Sequence, residues 1–212
     1  MTTLTVDLGE RSYPIYIDSN LLGQAELLQQ HILGNSALIV SNETVAPLYL
    51  ETLKKSLAGA DVHGLILPDG EAYKTMEHWS QIIDKLIEIR ATRDATIITL
   101  GGGVIGDMGG FAAASYMRGI NFVQIPTSLL AQVDASVGGK TGFNHTPGKN
   151  LIGAFHQPSA VLIESDALET LPGREYAAGL AEVVKIAAVR DAEFLTWLED
   201  NCAAVMSREP ET

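Results

Sequence analysis

The sequence predicts an α/β fold built on a mostly parallel sheet with flanking helices, and three observations lead there. Short apolar runs rich in β-branched residues ("ALIVS", "VHGLILP", "ATIITL", "INFVQIP") alternate with stretches of helical spacing. These runs are almost continuously apolar, as strands covered on both faces are, whereas half-solvated strands alternate. The 212 residues, 46% hydrophobic and 19% charged, hold enough apolar area for one such domain, or one plus the beginning of another.

Taken in order, "LTVDL" and "YPIYID" alternate with period two and predict an N-terminal β-hairpin turning at "GERS". Residues 37–41 predict a strand, and helical spacing runs from Val45 to Leu57. A strand over 62–68 precedes an amphipathic helix, "MEHWSQIIDKLIEIR", with Trp79, Ile82, Ile83, Leu86 and Ile89 on one side. A strand over 95–100 leads into "VIGDMGGFAAASYM", a helix weakened by glycine, and a further strand covers 120–126. That succession makes the sheet Rossmann-like. Ligands of such sheets bind beyond the carboxyl ends of the strands, so the loops after Ser41, Leu67, Leu100 and Ile125 should converge on one site.

Periodicity fails from Leu130 to Gln157, which reads as a long loop of the functional kind. "AVLIE" is the last strand, and two helices follow, over 177–189 and 191–206. The second carries Phe194, Leu195, Leu198, Cys202 and Val205 on one stripe, which needs a partner. The chain therefore divides into an α/β domain, 1–172, and the first helices of an all-α domain, 173–212, whose remainder is expected outside this sequence.

Charge and composition narrow the function. A net charge of −12 excludes nucleic acid and anionic membrane surfaces as non-specific partners. No run approaches the roughly 18 uninterrupted apolar residues of a membrane helix, and "MTTLTVDLGERSYP" has no signal-peptide pattern. The single Cys202 rules out an internal disulfide and fits a cytoplasmic setting. From Ser115 to Ala160 the only acid is Asp134, against Arg118, Lys140 and Lys149, which predicts a local cationic pocket for a small anionic substrate.

Gly101, Gly102, Gly103, Gly106, Gly109 and Gly110 crowd the start of the helix after Leu100. Gly101 to Gly106 match G-x-G-x-x-G, but the next strand ends in Gln124-Ile125-Pro126 instead of the acid that holds a ribose, and several strands precede the motif. Bare amides at a helix N-terminus still suit a pyrophosphate, with Glu43, Asp69 and Glu71 available for a ribose. Close helix–strand packing without a ligand is the alternative for these glycines. "GGKTG" and "PGKN" are not P-loops, because Asp134 and Phe143 stand where glycine is required. His145 and His156 lack the spacing of a helical metal pair. Glu182 and Lys185 match an ordinary surface pair, but Leu180, Ala181, Val183, Val184, Ile186 and Ala187 surround them, and a glutamate in such company calls for a cation. Asp134 is either a loop cap or a functional acid.

Four motifs, "LPDGEAYK", "LGGGVIGDMGGFAAASYMRG", "QIPTSLLAQVDASVGGKTGFNHTPGKNLIGAFHQP" and "LPGREYAAGLAEVVKIA", together resemble the 3-dehydroquinate synthase family of sugar-phosphate cyclases. The resemblance implies a phosphate-eliminating lyase of the shikimate pathway that uses NAD and a divalent metal, zinc or cobalt. Its reaction oxidises the sugar transiently, eliminates phosphate, returns the hydride and closes a carbocycle by aldol addition. The resemblance puts Asp69, Gly70, Glu71 and Lys74 on the adenosine side of NAD, and Gly103, Val104, Ile105, Gly106 and Asp107 on the pyrophosphate and nicotinamide. Thr127, Ser128, Lys140, Lys149, Ala167, Leu168, Glu169 and Thr170 complete that pocket. Arg118, Lys140, Lys149, Asn150 and Lys185 would bind the substrate, with Arg118 reaching across a homodimer interface. Asp134, Lys140 and Lys185 would be catalytic, and Glu182 would be this chain's one metal ligand, the others falling outside the sequence. Gly109 and Gly110 stand where threonine-glycine is common in the family, a change expected to be tolerated. By itself the chain is then expected to bind NAD without turnover. A metal-dependent polyol dehydrogenase of the glycerol type, or another sugar-phosphate cyclase, is the alternative reading.

Overall fold

A computed structural model describes residues 1–209. Its main sheet has seven strands: β1 (Thr2–Val6), β2 (Tyr13–Asp18), β3 (Ser36–Asn42), β4 (Asp61–Leu67), β5 (Thr96–Gly101), β6 (Asn121–Pro126) and β9 (Ala160–Glu164), in the order β1-β2-β9-β6-β5-β3-β4. Within it only β1 and β2 pair antiparallel, as the predicted hairpin. Every other pair is parallel, so the expected Rossmann-like α/β sheet is present.

Burial on both faces follows from the apolar runs. Along β3, Ala37 and Ile39 face one layer while Leu38 and Val40 face the other, and all four are buried. The first layer is α2 (Ala46–Ser56) with Leu50 and Leu53, together with Leu21, Leu22 and Leu28 of the segment that includes α1 (Ala25–Gln29). The second is α3 (Met76–Glu88) and α4 (Gly103–Ser115), which bring Ile82, Leu86, Ile105, Met108 and Ala112. Each buried leucine, isoleucine or methionine contributes about 1.5–3 kcal/mol. Strand β4 departs from the expectation. It is the sheet's outer edge, and Ile66 is half exposed.

From β3 the chain crosses to β4 on one side and then returns past β3 to β5 on the other. The strand direction of travel thus switches between β3 and β5, where open α/β sheets carry ligands. The Ser41 hydroxyl donates to the Leu100 carbonyl at 2.7 Å and stitches the two strands at that end.

The stretch expected as one long loop is instead ordered. Ala131–Ala135 forms a π-helical turn, and β7 (Lys140–His145) with β8 (Gly148–Phe155) forms a separate antiparallel hairpin. Gly142 pairs with Gly153, and a Cβ on either would run into the facing backbone carbonyl. Glycine there permits close strands but erases the apolar alternation that marks a strand.

After β9 come α5 (Ala167–Thr170), α6 (Gly173–Arg190), α7 (Ala192–Asp200) and α8 (Cys202–Ser207). Helix α6 begins earlier than predicted, and the predicted 191–206 helix breaks at Asn201, whose backbone N–H and side-chain amide both donate to the Trp197 carbonyl. On the expected stripe only Leu198 is buried, and Cys202 is exposed. Gly179 of α6 lies against Leu129 and the Leu130 amide, which seats the helix over the π-turn. Among the described residues no helix is long and apolar enough to cross a membrane.

Candidate nucleotide and substrate cleft

Beyond the carboxyl end of β5, a cavity of about 430 Å³ opens between α4, the π-turn and the β7–β8 hairpin. Asp107, Asp134, Lys140 and Asn150 supply its polar lining, with Leu151 and Phe155 at the mouth. Phe155 is 83% exposed.

The charged groups form a connected set. Lys74 follows a single 3-10 turn after β4 and is only 4% exposed. Its ammonium donates to Asp107 Oδ2 at 2.5 Å and to Asn150 Oδ1 at 2.6 Å. Asp107 sits one turn into α4. Burial pushes its carboxyl up from the ordinary value; Lys74 pulls the other way, Glu71 adds to the rise and Lys140 opposes it. Lys140 approaches Asp134 at 3.5 Å, and Lys149 approaches Glu71 at 3.5 Å; both pairs are solvent-exposed and weak. The predicted cationic pocket is therefore corrected. Asp107, from outside the acid-poor stretch, lines the cavity, and Glu71 pairs with Lys149, so acids offset the lysines.

The glycine cluster divides between positions packed against the sheet and positions that open α4. Gly109 and Gly110 are packing glycines: a Cβ at Gly109 would overlap the Thr99 methyl, and one at Gly110 would meet Thr141 Cγ2 at 2.5 Å and the Phe122 ring at 2.9 Å. The threonine that the resemblance allows at 109 therefore needs room that Thr99 fills here. Gly102 and Gly103 open α4 and face outward elements. No side chain caps the helix, and a Cβ on them would approach Ser128 Oγ at 3.4 Å and Ala135 Cβ at 3.2 Å. Beneath this loop the crevice measures only about 10 Å³, the room of a single water.

The remaining candidates are spread around this centre. Asp69 accepts from Asn42 Nδ2 and Thr44 Oγ1, each at 2.7 Å, which ties the loops after β3 and β4 together; Gly70 follows at φ +116°. Val104 and Gly106 are partly exposed, while Ile105 is fully buried and can offer a ligand only its amide. Thr127 is buried and donates its N–H to the Gly101 carbonyl at 3.1 Å. Ser128 Oγ accepts from the Ala131 amide at 3.3 Å. Ala167, Leu168, Glu169 and Thr170 lie apart from the cavity, with Thr170 Oγ1 2.5 Å from the Tyr49 hydroxyl and the Leu168 carbonyl taken by Arg208.

Two expected participants stand elsewhere. Arg118 lies past the C-terminal end of α4, about 20 Å along the helix from its glycine end at 1.5 Å per residue. It is exposed, in a run (Met117, Arg118, Gly119) whose φ values are +48°, +69° and +124°. Glu182 and Lys185 pair with each other on α6 and do not line the cavity. Of the apolar neighbours that argued for burial, Val184 (46% exposed) and Ile186 (37%) are partly solvent-facing and Ala187 is buried, and the Glu182 side chain itself is only 16% exposed. Among the described residues no three His, Cys, Asp or Glu side chains come close enough to share a metal ion.

Sequence reasoning misses Asn42, Thr44 and Asn144. The first two hold Asp69. Asn144 bonds Glu71, Lys74 and Asn150, and its only signal in the sequence is its place among the polar residues of the assumed loop.

Comparison with known proteins identifies the family and the fold. The chain is 60% identical over 210 residues to a 3-dehydroquinate synthase of Hydrogenovibrio crunogenus, covering 99% of this chain and 59% of that protein. It spans somewhat under three fifths of the curated relatives it matches. The structure of 2-epi-5-epi-valiolone synthase from Streptomyces hygroscopicus, with NAD+ and Zn2+ bound, superposes with a TM-score of 0.85 at 36% identity, covering 95% of this chain and 56% of that one. A 2-deoxy-scyllo-inosose synthase complexed with carbaglucose-6-phosphate, NAD+ and Co2+ gives 0.81 at 29% identity, covering 87% and 50%. The family model of the 3-dehydroquinate synthase N-terminal region matches residues 64–178, more than half of the chain. With that match and these relatives, the chain belongs to the 3-dehydroquinate synthase family.

Proposed function

We propose that this chain is the dinucleotide-binding part of a cytoplasmic enzyme that converts 3-deoxy-D-arabino-heptulosonate 7-phosphate to 3-dehydroquinate and phosphate, with NAD and a divalent metal, zinc or cobalt. The observation that carries the reading is the node at Asp107. A carboxylate one turn into a glycine-opened helix meets Lys74 and faces Lys140 and Asn150 in one cleft beyond β5. Residues 1–172 are then the nucleotide unit and 173–212 the first helices of a metal and substrate unit. Arg118, at the far end of α4, serves the partner's cleft in a homodimer.

The residues present fit NAD. The uncapped, side-chain-free start of α4 offers amides to a pyrophosphate, and Asp69 and Glu71 stand at the adjoining loops. They do not by themselves make a metal centre, because among the described residues Glu182 has no further ligands grouped with it.

Bound NAD supplies a reversible acceptor for hydride. The chain's own groups bind and orient. Lys140 and Lys149 leave weak exposed partners at little cost and grip substrate oxyanions as compact charges. Release of Lys140 frees Asp134 to accept a proton from a substrate hydroxyl. Lys74, buried, keeps Asp107 and Asn150 in place. Lys185 holds the Glu182 carboxylate ready on α6.

The test is a phosphate-release assay with NAD, run with and without chelator. The 212-residue chain is expected to bind NAD and release no phosphate. Phosphate release by this chain alone, or net NADH from a polyol, would contradict the reading; net NADH is what a polyol dehydrogenase gives. Substrate trials separate the other sugar-phosphate cyclases.

A further inference from the structure

We propose that Asn144 is a positioning residue of this cleft, a clip that sets Glu71, Lys74 and Asn150 together; the inference rests on reading the cleft as a nucleotide site. The β7–β8 register shifts between Phe143 and His145: the partners step from Ile152 to Gly148, so Asn144 alone on β7 stands opposite Lys149, Asn150 and Leu151 of β8 and has no single strand partner. Bulges re-aim a residue in this way beside functional sites. Freed from its strand partner, the Asn144 N–H donates to the Lys74 carbonyl at 2.8 Å. Its side-chain oxygen accepts from the Asn150 N–H at 2.9 Å, and its side-chain amide donates to Glu71 Oε1 at 2.8 Å. The orientation of the amide is fixed by chemistry, since a donor faces the carboxylate and an acceptor faces the N–H.

Each bond reaches a different segment. Asn150 holds a left-handed backbone at φ +53°, uncommon for a residue with a side chain. The Asn144 bond secures that turn, and the turn brings Asn150 Oδ1 to within 2.6 Å of the Lys74 ammonium. On the other side, Asn144 holds the Glu71 carboxylate that Lys149 also approaches. A single side chain therefore couples the two ends of the cleft. Alanine makes neither side-chain bond. Aspartate keeps the acceptor for Asn150 but sets a second carboxylate against Glu71.

The experiment compares the native chain with Asn144→Ala, Asn144→Asp, Glu71→Gln and the Asn144→Asp/Glu71→Gln double variant. NAD affinity is read by calorimetry and the Asn150 amide by hydrogen exchange. Asn144→Ala is expected to speed Asn150 exchange and to weaken NAD binding about tenfold, the worth of roughly one or two lost hydrogen bonds. Asn144→Asp is expected to keep the slow Asn150 exchange while losing affinity. The double variant restores the pairing with its polarity reversed, the new glutamine amide donating to the new aspartate carboxylate. It is therefore expected to bind NAD no worse than Glu71→Gln alone, a non-additivity that ties the loss of affinity to the Asn144–Glu71 bond itself. Unchanged Asn150 exchange in Asn144→Ala, NAD affinity within twofold of native, or strictly additive losses in the double variant would overturn the inference. Should Asn144→Ala not fold, the aspartate cycle decides. If the native chain binds no NAD, the proposed function fails, and Asn150 exchange still decides whether Asn144 sets that turn.

Discussion

Lys74 is the sharpest point at which to perturb the cleft. In Lys74→Met the side chain keeps its bulk and loses the ammonium, stranding Asp107 and the Asn150 carbonyl oxygen that it bridges at 2.5 and 2.6 Å. Removing one partner of a fully buried pair costs about 3–5 kcal/mol. The Asp107 side chain is 19% exposed, which discounts this to roughly 2–3 kcal/mol at neutral pH. The loss should depend on pH, with a definite sign. Burial already holds the Asp107 carboxyl above its ordinary value, and Lys74 is the main influence pulling it down. Without Lys74 the folded chain binds that proton more tightly still than the unfolded chain does. Stability of the variant therefore falls as pH climbs from the ordinary carboxylate value, about 3.9, through the raised folded one. The gap to the native chain is expected to be smaller near pH 5 than near pH 8. At roughly 2–4 °C per kcal/mol for a chain of this size, the melting temperature should drop by about 5–10 °C at pH 8. Calorimetric melts at the two pH values read it. Lys74→Met/Asp107→Asn is expected to regain most of the stability but not the affinity for NAD. An equal loss at both pH values, or no recovery in the double variant, would refute the reasoning.

Other expectations bear on the frame around the cleft. Glu164 is 3% exposed, with Oε2 accepting from the Leu22 N–H at 3.1 Å and burial pushing its carboxyl up. Because the folded value is raised, its contribution to stability falls as pH rises, so Glu164→Gln should exceed the native chain in denaturant melts at pH 7.5 and lose that advantage by pH 4. Gly110→Ala should destabilise by about 1–3 kcal/mol through overpacking against Phe122 and Thr141, despite helix propensity favouring alanine by about 1 kcal/mol; a stabilised variant would mean that the helix can move off the sheet. Lys149→Met breaks an exposed pair and should leave stability within about 0.5 kcal/mol, yet weaken phosphate binding by the cleft in a competition titration.

The parallel core is legible because its apolar runs have no competing explanation. Val40, Ile98 and Val123 are buried within the sheet, and the residues between their strands carry clear helical spacing. The hairpin of β7 and β8 is hidden for the opposite reason, since Gly142 and Gly153 remove the side chains whose alternation announces a strand. Within the site, motifs nominate Asp107, Lys140 and Asn150, but they do not convey the charge balance. Glu71 precedes Lys149 by far in sequence and meets it only through the fold, so counting acids in one segment misjudges the pocket. Asn144 is invisible because a β-bulge, and no residue type, aims it.

The central claim is that the glycine-opened end of α4 and the Lys74–Asp107–Asn150 cluster together hold a dinucleotide. An NMR titration of the 212-residue chain with NAD tests it most directly. The account predicts saturable shifts in the amides of Gly102 to Asp107, joined by those of Glu71, Lys74 and Asn150. Shifts confined to other surfaces, or none at millimolar cofactor, would contradict it.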